Sequence, residues 1–151
     1  MKDSRNTLEI KLERTIPAPP DEVFDGWLNP KIPGNPWNIA DKLLLNPTVD
    51  GFFYWNAKGI PHYGRFTEME RPDRIQHTWV SPNTLGDESI VTLTFKKQGE
   101  DTLMTLVHSG LPDTNRGREH AKGWTYFLDN FPQQFAGASQ RRSSAIHDER
   151  T

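Results

Sequence analysis

The sequence predicts an α+β fold in which a curved antiparallel sheet of about seven strands wraps one long C-terminal helix. Three observations predict it. Up to residue 108, apolar side chains alternate with period two in short runs separated by turn residues. From Thr114 to Phe135 the apolar period becomes that of a helix. The 151 residues also include five tryptophans and eight phenylalanines. Aromatic side chains bury about 150–250 Å² each, so a few of them can line a large internal surface.

The elements follow in order. Leu8, Ile10, Leu12 and Ile16 share one parity, with Glu9, Lys11 and Glu13 on the other, which predicts a half-buried first strand. Pro17, Pro19 and Pro20 stop it, and Asp21 and Glu22 place carboxylates at the positive end of a short helix near 21–28. The segment from Asn29 to Pro36 holds three prolines and a glycine and delivers Trp37 from irregular chain. A second short helix is expected near 38–42. Strands are then expected over Leu43–Val49, Phe52–Ala57, Tyr63–Met69, Arg74–Val80, Ser89–Lys97 and Thr102–His108, with Gln98-Gly99-Glu100-Asp101 as a hairpin turn. In the last third, His120, Trp124, Phe127, Leu128, Phe131 and Phe135 fall on one helical face. Thr114 is its expected N-cap, and Pro132 should kink or end it. A single domain over 1–137 and a polar, disordered tail over 138–151 are expected.

Composition narrows the function classes. Charged residues make up 25% of the chain and the formal net charge is −2, so neither nucleic acid nor an anionic membrane is an expected partner. Cysteine is absent, which excludes disulfides, thiolate chemistry and cysteine-ligated zinc. The opening MKDSRNTLEIKLER has no apolar core of a secretory signal, and no run approaches the ~20 apolar residues of a membrane span. A cytoplasmic monomer or weak dimer is expected.

Several motifs carry a resemblance. Ala18-Pro19-Pro20-Asp21-Glu22-Val23-Phe24, Trp37, Asp50-Gly51-Phe52-Phe53, and Tyr63-Gly64-Arg65-Phe66-Thr67-Glu68 come first. Arg71-Pro72-Asp73-Arg74-Ile75, Thr78-Trp79, Leu106-Val107-His108-Ser109-Gly110-Leu111, and His120-Ala121-Lys122-Gly123-Trp124 follow. In this order, over residues 8–135, the chain resembles the START-like, helix-grip superfamily of birch-pollen-allergen-like proteins and polyketide cyclases. Within it, the chain is most similar to the family named for the heat-shock protein 90 ATPase activator homologue. The resemblance implies a sheet gripping a helix around a cavity, with no universal catalytic set. Departures are the proline-rich loop, Asp50 where glycine is common, and Pro132 inside the long helix.

Strand parity and this resemblance together give the candidate site. Phe53 and Trp55 should face inward, as should Phe66, the pair His77 and Trp79, and His108, with His120, Trp124 and Phe127 opposite them on the helix and Trp37 as a lid or plug. The expected role is to bind a small apolar or aromatic molecule. An interaction module acting on a chaperone ATPase, as the family name implies, is the alternative. A cyclase or hydrolase using His77 or His108 is the other. The histidines show no zinc-site spacing, and no serine sits in a nucleophile elbow, so no metal, cofactor or catalytic residue is expected.

Overall fold

The structure is a computed structural model and describes residues 6–135. Its strands are β1 (Thr7–Ile16), β2 (Lys42–Leu45), β3 (Phe52–Ala57), β4 (Ile60–Glu70), β5 (Arg74–Trp79), β6 (Ser89–Gln98) and β7 (Asp101–Pro112). They form one sheet in the order β1-β7-β6-β5-β4-β3-β2, antiparallel throughout. From β2 onward this is a meander, and β1 returns to pair with the last strand. The helices are α1 (Pro20–Trp27) and the long α2 (Asn115–Asn130). The expected α+β class, curved sheet and terminal helix are therefore present.

Local chemistry explains the bend. β4 pairs with β3 through Ile60–Arg65 and with β5 through Phe66–Glu70, with a register shift between Phe66 and Glu68. A second shift lies between Leu8 and Ile10 in β1. Such irregularities sharpen strand twist and curl a sheet. α2 crosses the concave side against β1 and β7. Its C-terminal half is held to β1 by Arg14, whose Nε donates to Asp129 at 3.0 Å.

The proline-rich loop is organised by one buried residue. Asn35 donates from Nδ2 to the carbonyls of Gly26 (2.9 Å) and Asn29 (2.8 Å), and its Oδ1 accepts from the Asn38 amide at 3.1 Å. One side chain thus closes the end of α1 and opens a 3₁₀ turn at Pro36–Ile39. That turn replaces the helix expected near 38–42, because prolines at 30, 33 and 36 leave too few amides for an α-helix before β2. β2 itself is shorter than the expected Leu43–Val49. Past Asn46 the backbone coils on itself, with the Thr48 amide donating to Asn46 and that of Gly51 to Thr48, each at 2.8 Å. Asp50, at φ 65°, adopts the left-handed conformation glycine would take freely, and its carboxylate pairs with Arg65 at 2.7 Å.

α2 stops at Asn130, two residues before Pro132, and Phe131 and Phe135 continue its buried face from the turns beyond. Phe131 packs edge-on against Trp27 at 5.1 Å. The expected tail over 138–151 lies outside the described residues. Among the described residues, no helix is long and apolar enough to cross a membrane.

Candidate functional site

Two aromatic clusters share the space between sheet and α2. In the inner one, Gly64 opposes Phe53 across β3 and β4, and the missing side chain lets the Phe53 ring lie over the backbone. A Cβ there would meet the Phe53 ring at 2.5 Å. Phe53 then contacts Trp37 (ring centroids 5.1 Å), His77 (5.0 Å) and Phe66 (5.9 Å). All four are at most 2% exposed, so this part of the interior is filled by rings.

The outer cluster centres on Trp79 at the end of β5. Trp55 lies 5.4 Å from it, Trp124 of α2 5.2 Å, and His62 of β4 4.9 Å, with Phe127 beside Trp124 at 5.9 Å. Here the rings meet an open cleft of about 160 Å³ whose rim includes Arg116, Glu119 and Gly123 of α2. A broader hollow of about 590 Å³ adjoins it, sharing Trp55, His62, Gly123 and Phe127 and reaching Ile39, Ile60 and Tyr126.

The ten candidate residues therefore divide. Trp37, Phe53, Phe66 and His77 form the packed interior. Trp55, Trp79, His120, Trp124 and Phe127 line the cleft. His108 lies between, 6.0 Å from Trp79 and 5.2 Å from His120.

Hydrogen bonding fixes what the histidines can do. The Trp124 indole N–H donates to His108 Nδ1 at 2.9 Å, so the His108 proton sits on Nε2 and is given to Ser89 Oγ at 2.7 Å. The Ser89 hydroxyl in turn donates to the Trp79 carbonyl, also at 2.7 Å. This Ser–His pair points the wrong way for a nucleophile, since the serine proton is committed to a carbonyl and the imidazole is a donor to it. His120 is committed too. Its Nδ1 donates to the carbonyls of Arg116 and Gly117, each at 3.1 Å, and its Nε2 accepts from the Trp79 indole at 3.4 Å. His77 donates to the Thr78 carbonyl at 2.9 Å and His62 to that of Ile60 at 3.1 Å.

Burial holds all four rings neutral. Desolvation lowers the pKa of His62 and of His77 to about 4 and drives that of His108 well below the usual imidazole value, helped there by the neighbouring histidines. The pKa of His120 is also lowered, chiefly by burial. Four neutral histidines around one tryptophan make a rigid hydrogen-bonded frame. Among the described residues, no three His, Cys, Asp or Glu side chains come together as a metal-binding group. The indole N–H groups of Trp27, Trp37 and Trp55 are buried without an acceptor, a cost of about 1–3 kcal/mol each.

Residues 17–136 match the model of the family described as activator of Hsp90 ATPase homolog 1-like protein. The chain belongs to that family. Solved structures agree on the fold of this activator-like chain. CalU16 from Micromonospora echinospora is 27% identical, with a TM-score of 0.67 over 91% of this chain and 84% of that one. CV1439 from Chromobacterium violaceum is 24% identical, with a TM-score of 0.67 over 83% and 94%. PFC0360w, an HSP90 activator from Plasmodium falciparum, is 22% identical, with a TM-score of 0.66 over 85% and 93%. No curated protein registers a significant sequence match.

Sequence reasoning missed five residues of the cleft: His62, Asn83, Arg116, Glu119 and Gly123. His62 shares the parity of Gly64 and Phe66, so strand alternation alone would have found it. Gly123 stands out as a glycine inside a helix. Arg116 has no sequence signal, because only the fold reveals which arginines have acidic neighbours.

Proposed function

We propose that this activator-like domain binds a small apolar or aromatic molecule in the cleft lined by Trp55, Trp79, Trp124 and Phe127. The observation that carries the reading is the open cleft walled by Trp55, Trp79, Trp124 and Phe127, side chains that are themselves only 3–7% exposed. Aromatic walls with a few fixed polar groups are the usual make-up of a small-molecule site. The frozen histidine protons favour binding over acid–base chemistry, and a cytoplasmic setting fits a chain without cysteine. The test is titration of tryptophan emission with a panel of apolar aromatic compounds. Saturable quenching that Trp79→Phe and Trp124→Phe reduce is the expected result. A flat response across the panel would remove the proposal.

A second reading has its own support. Leu44, Phe52 and Tyr63 are 70%, 68% and 53% exposed on neighbouring strands of the outer face, with Tyr54 half-buried between Leu44 and Tyr63. Clustered exposed apolar side chains mark protein-contact surfaces, and one relative of the same fold is described as an HSP90 activator. Under this reading the domain docks a chaperone ATPase through that face. Stimulation of the ATPase that Leu44→Asp abolishes is expected, and an unchanged rate at saturating protein would dismiss it.

A further inference from the structure

We propose that the ligand of this cleft is a flat aromatic molecule bearing one anionic group, the anion held by Arg116 and the ring seated over Gly123. This deepens the binding role above and rests on it.

Every arginine among the described residues except Arg116 has an acidic partner. Arg14 pairs with Asp129, Arg65 with Asp50, Arg71 with Asp25, Arg74 with Glu68 and Arg118 with Asp113. Among the described residues Arg116 makes no ion pair, and it is the one arginine on the rim of the cleft. Glu119 shares that rim, but Lys122 engages its carboxylate at 3.3 Å. The first turn of α2 carries no acidic residue, and Asp113 just before its cap is engaged by Arg118. His120, the next cleft residue along the helix, has given both ring nitrogens to other partners. A guanidinium with spare donors is the group suited to receive a carboxylate.

Gly123 gives the ring its seat. It occupies mid-helix, where glycine costs about 0.5–1 kcal/mol relative to alanine. Packing does not demand it, because a Cβ there would meet no atom within 4 Å. Its φ is not positive either, so alanine could adopt the same backbone. What the glycine provides is a bare strip of helix that, with Trp55, lines both the cleft and the adjoining hollow. Arg116 and Gly123 are seven residues apart, two turns along one helix face and about 10 Å in rise. That span suits a fused-ring acid with its carboxylate toward the helix start.

The test compares 2-naphthoate with its neutral counterpart 2-naphthylmethanol, by calorimetric titration of the full chain. Wild type is expected to bind naphthoate about tenfold more tightly, the scale of one charge-assisted contact at a partly solvated site. Arg116→Gln should remove that preference and leave naphthylmethanol binding unchanged. Arg118→Gln, which deletes the same charge from the same helix end outside the cleft, should leave both unchanged. Gly123→Leu should block both probes while the melting temperature holds or rises. Equal affinities in wild type, or a preference that survives Arg116→Gln, would overturn the anion assignment and leave the binding role standing. Undiminished binding to Gly123→Leu would overturn the seat of the ring. Failure of wild type to bind either probe would bring down this inference together with the binding role beneath it.

Discussion

The inner and outer aromatic clusters are built from the same residue types on adjacent strands, yet they do opposite things. Phe53, Phe66, Trp37 and His77 lie deep under the sheet and fill their volume with edge-to-face contacts. Trp55, Trp79, Trp124 and His62 meet one another in tilted ring contacts and border a cleft whose other wall is α2. The difference lies in what faces them. The inner rings meet one another across the meander, whereas the outer rings also border a cleft lined by Gly123 of α2. Packing is thus the work of the inner cluster, and the outer one is where the proposed ligand would bind.

Mutations should separate the two roles. The largest effect of a single side chain is expected inside. Phe66→Ala removes a fully buried ring and should cost about 3–5 kcal/mol by chemical denaturation. The outer cleft should keep its probe affinity in the fraction that remains folded. A loss of affinity larger than the loss of folded protein would mean the clusters are not separable.

Acid should come next. Burial places the folded-state pKa of His62 and of His77 at about 4, below the unfolded value near 6.5, so the unfolded chain binds more protons between those limits. Stability is therefore complete above pH 6.5 and falls as the pH drops toward 4, by about 3 kcal/mol for each ring. Denaturant midpoints at pH 7, 6, 5 and 4.5 check this, and His77→Gln should flatten the slope. A midpoint independent of pH over that window would show that the rings are not held neutral by the fold.

The smallest effect has the opposite sign. Gly123→Ala should stabilise the chain by about 0.5–1 kcal/mol, because the helix gains propensity and the new methyl meets open space. Probe affinity should fall at the same time. Destabilisation by this substitution would instead assign Gly123 a packing role.

Much of the fold could be read from the sequence, because two periodicities carry it. Leu8 to Ile16 announced a half-buried strand by alternation, and Trp124 to Phe131 announced a helix by its stripe. The shape of the interior could not be read so. Parity placed Phe53 and Trp55 on one face equally, but whether a ring meets another ring or a cleft depends on the curl of β4 and on where α2 lies. The loop before β2 was equally opaque, since its order comes from a single asparagine bonding backbone on both sides. His108 shows the same limit from the chemical side. Its inward parity invited a catalytic role, and only its donors and acceptors reveal a structural one.

Five indole N–H resonances offer a direct view of both clusters in one ¹⁵N spectrum. On titration with 2-naphthylmethanol, the signals of Trp55, Trp79 and Trp124 should shift and saturate together, while those of Trp27 and Trp37 stay in place. Movement led by Trp37 would place the ligand in the inner cluster and contradict the division of labour between the two.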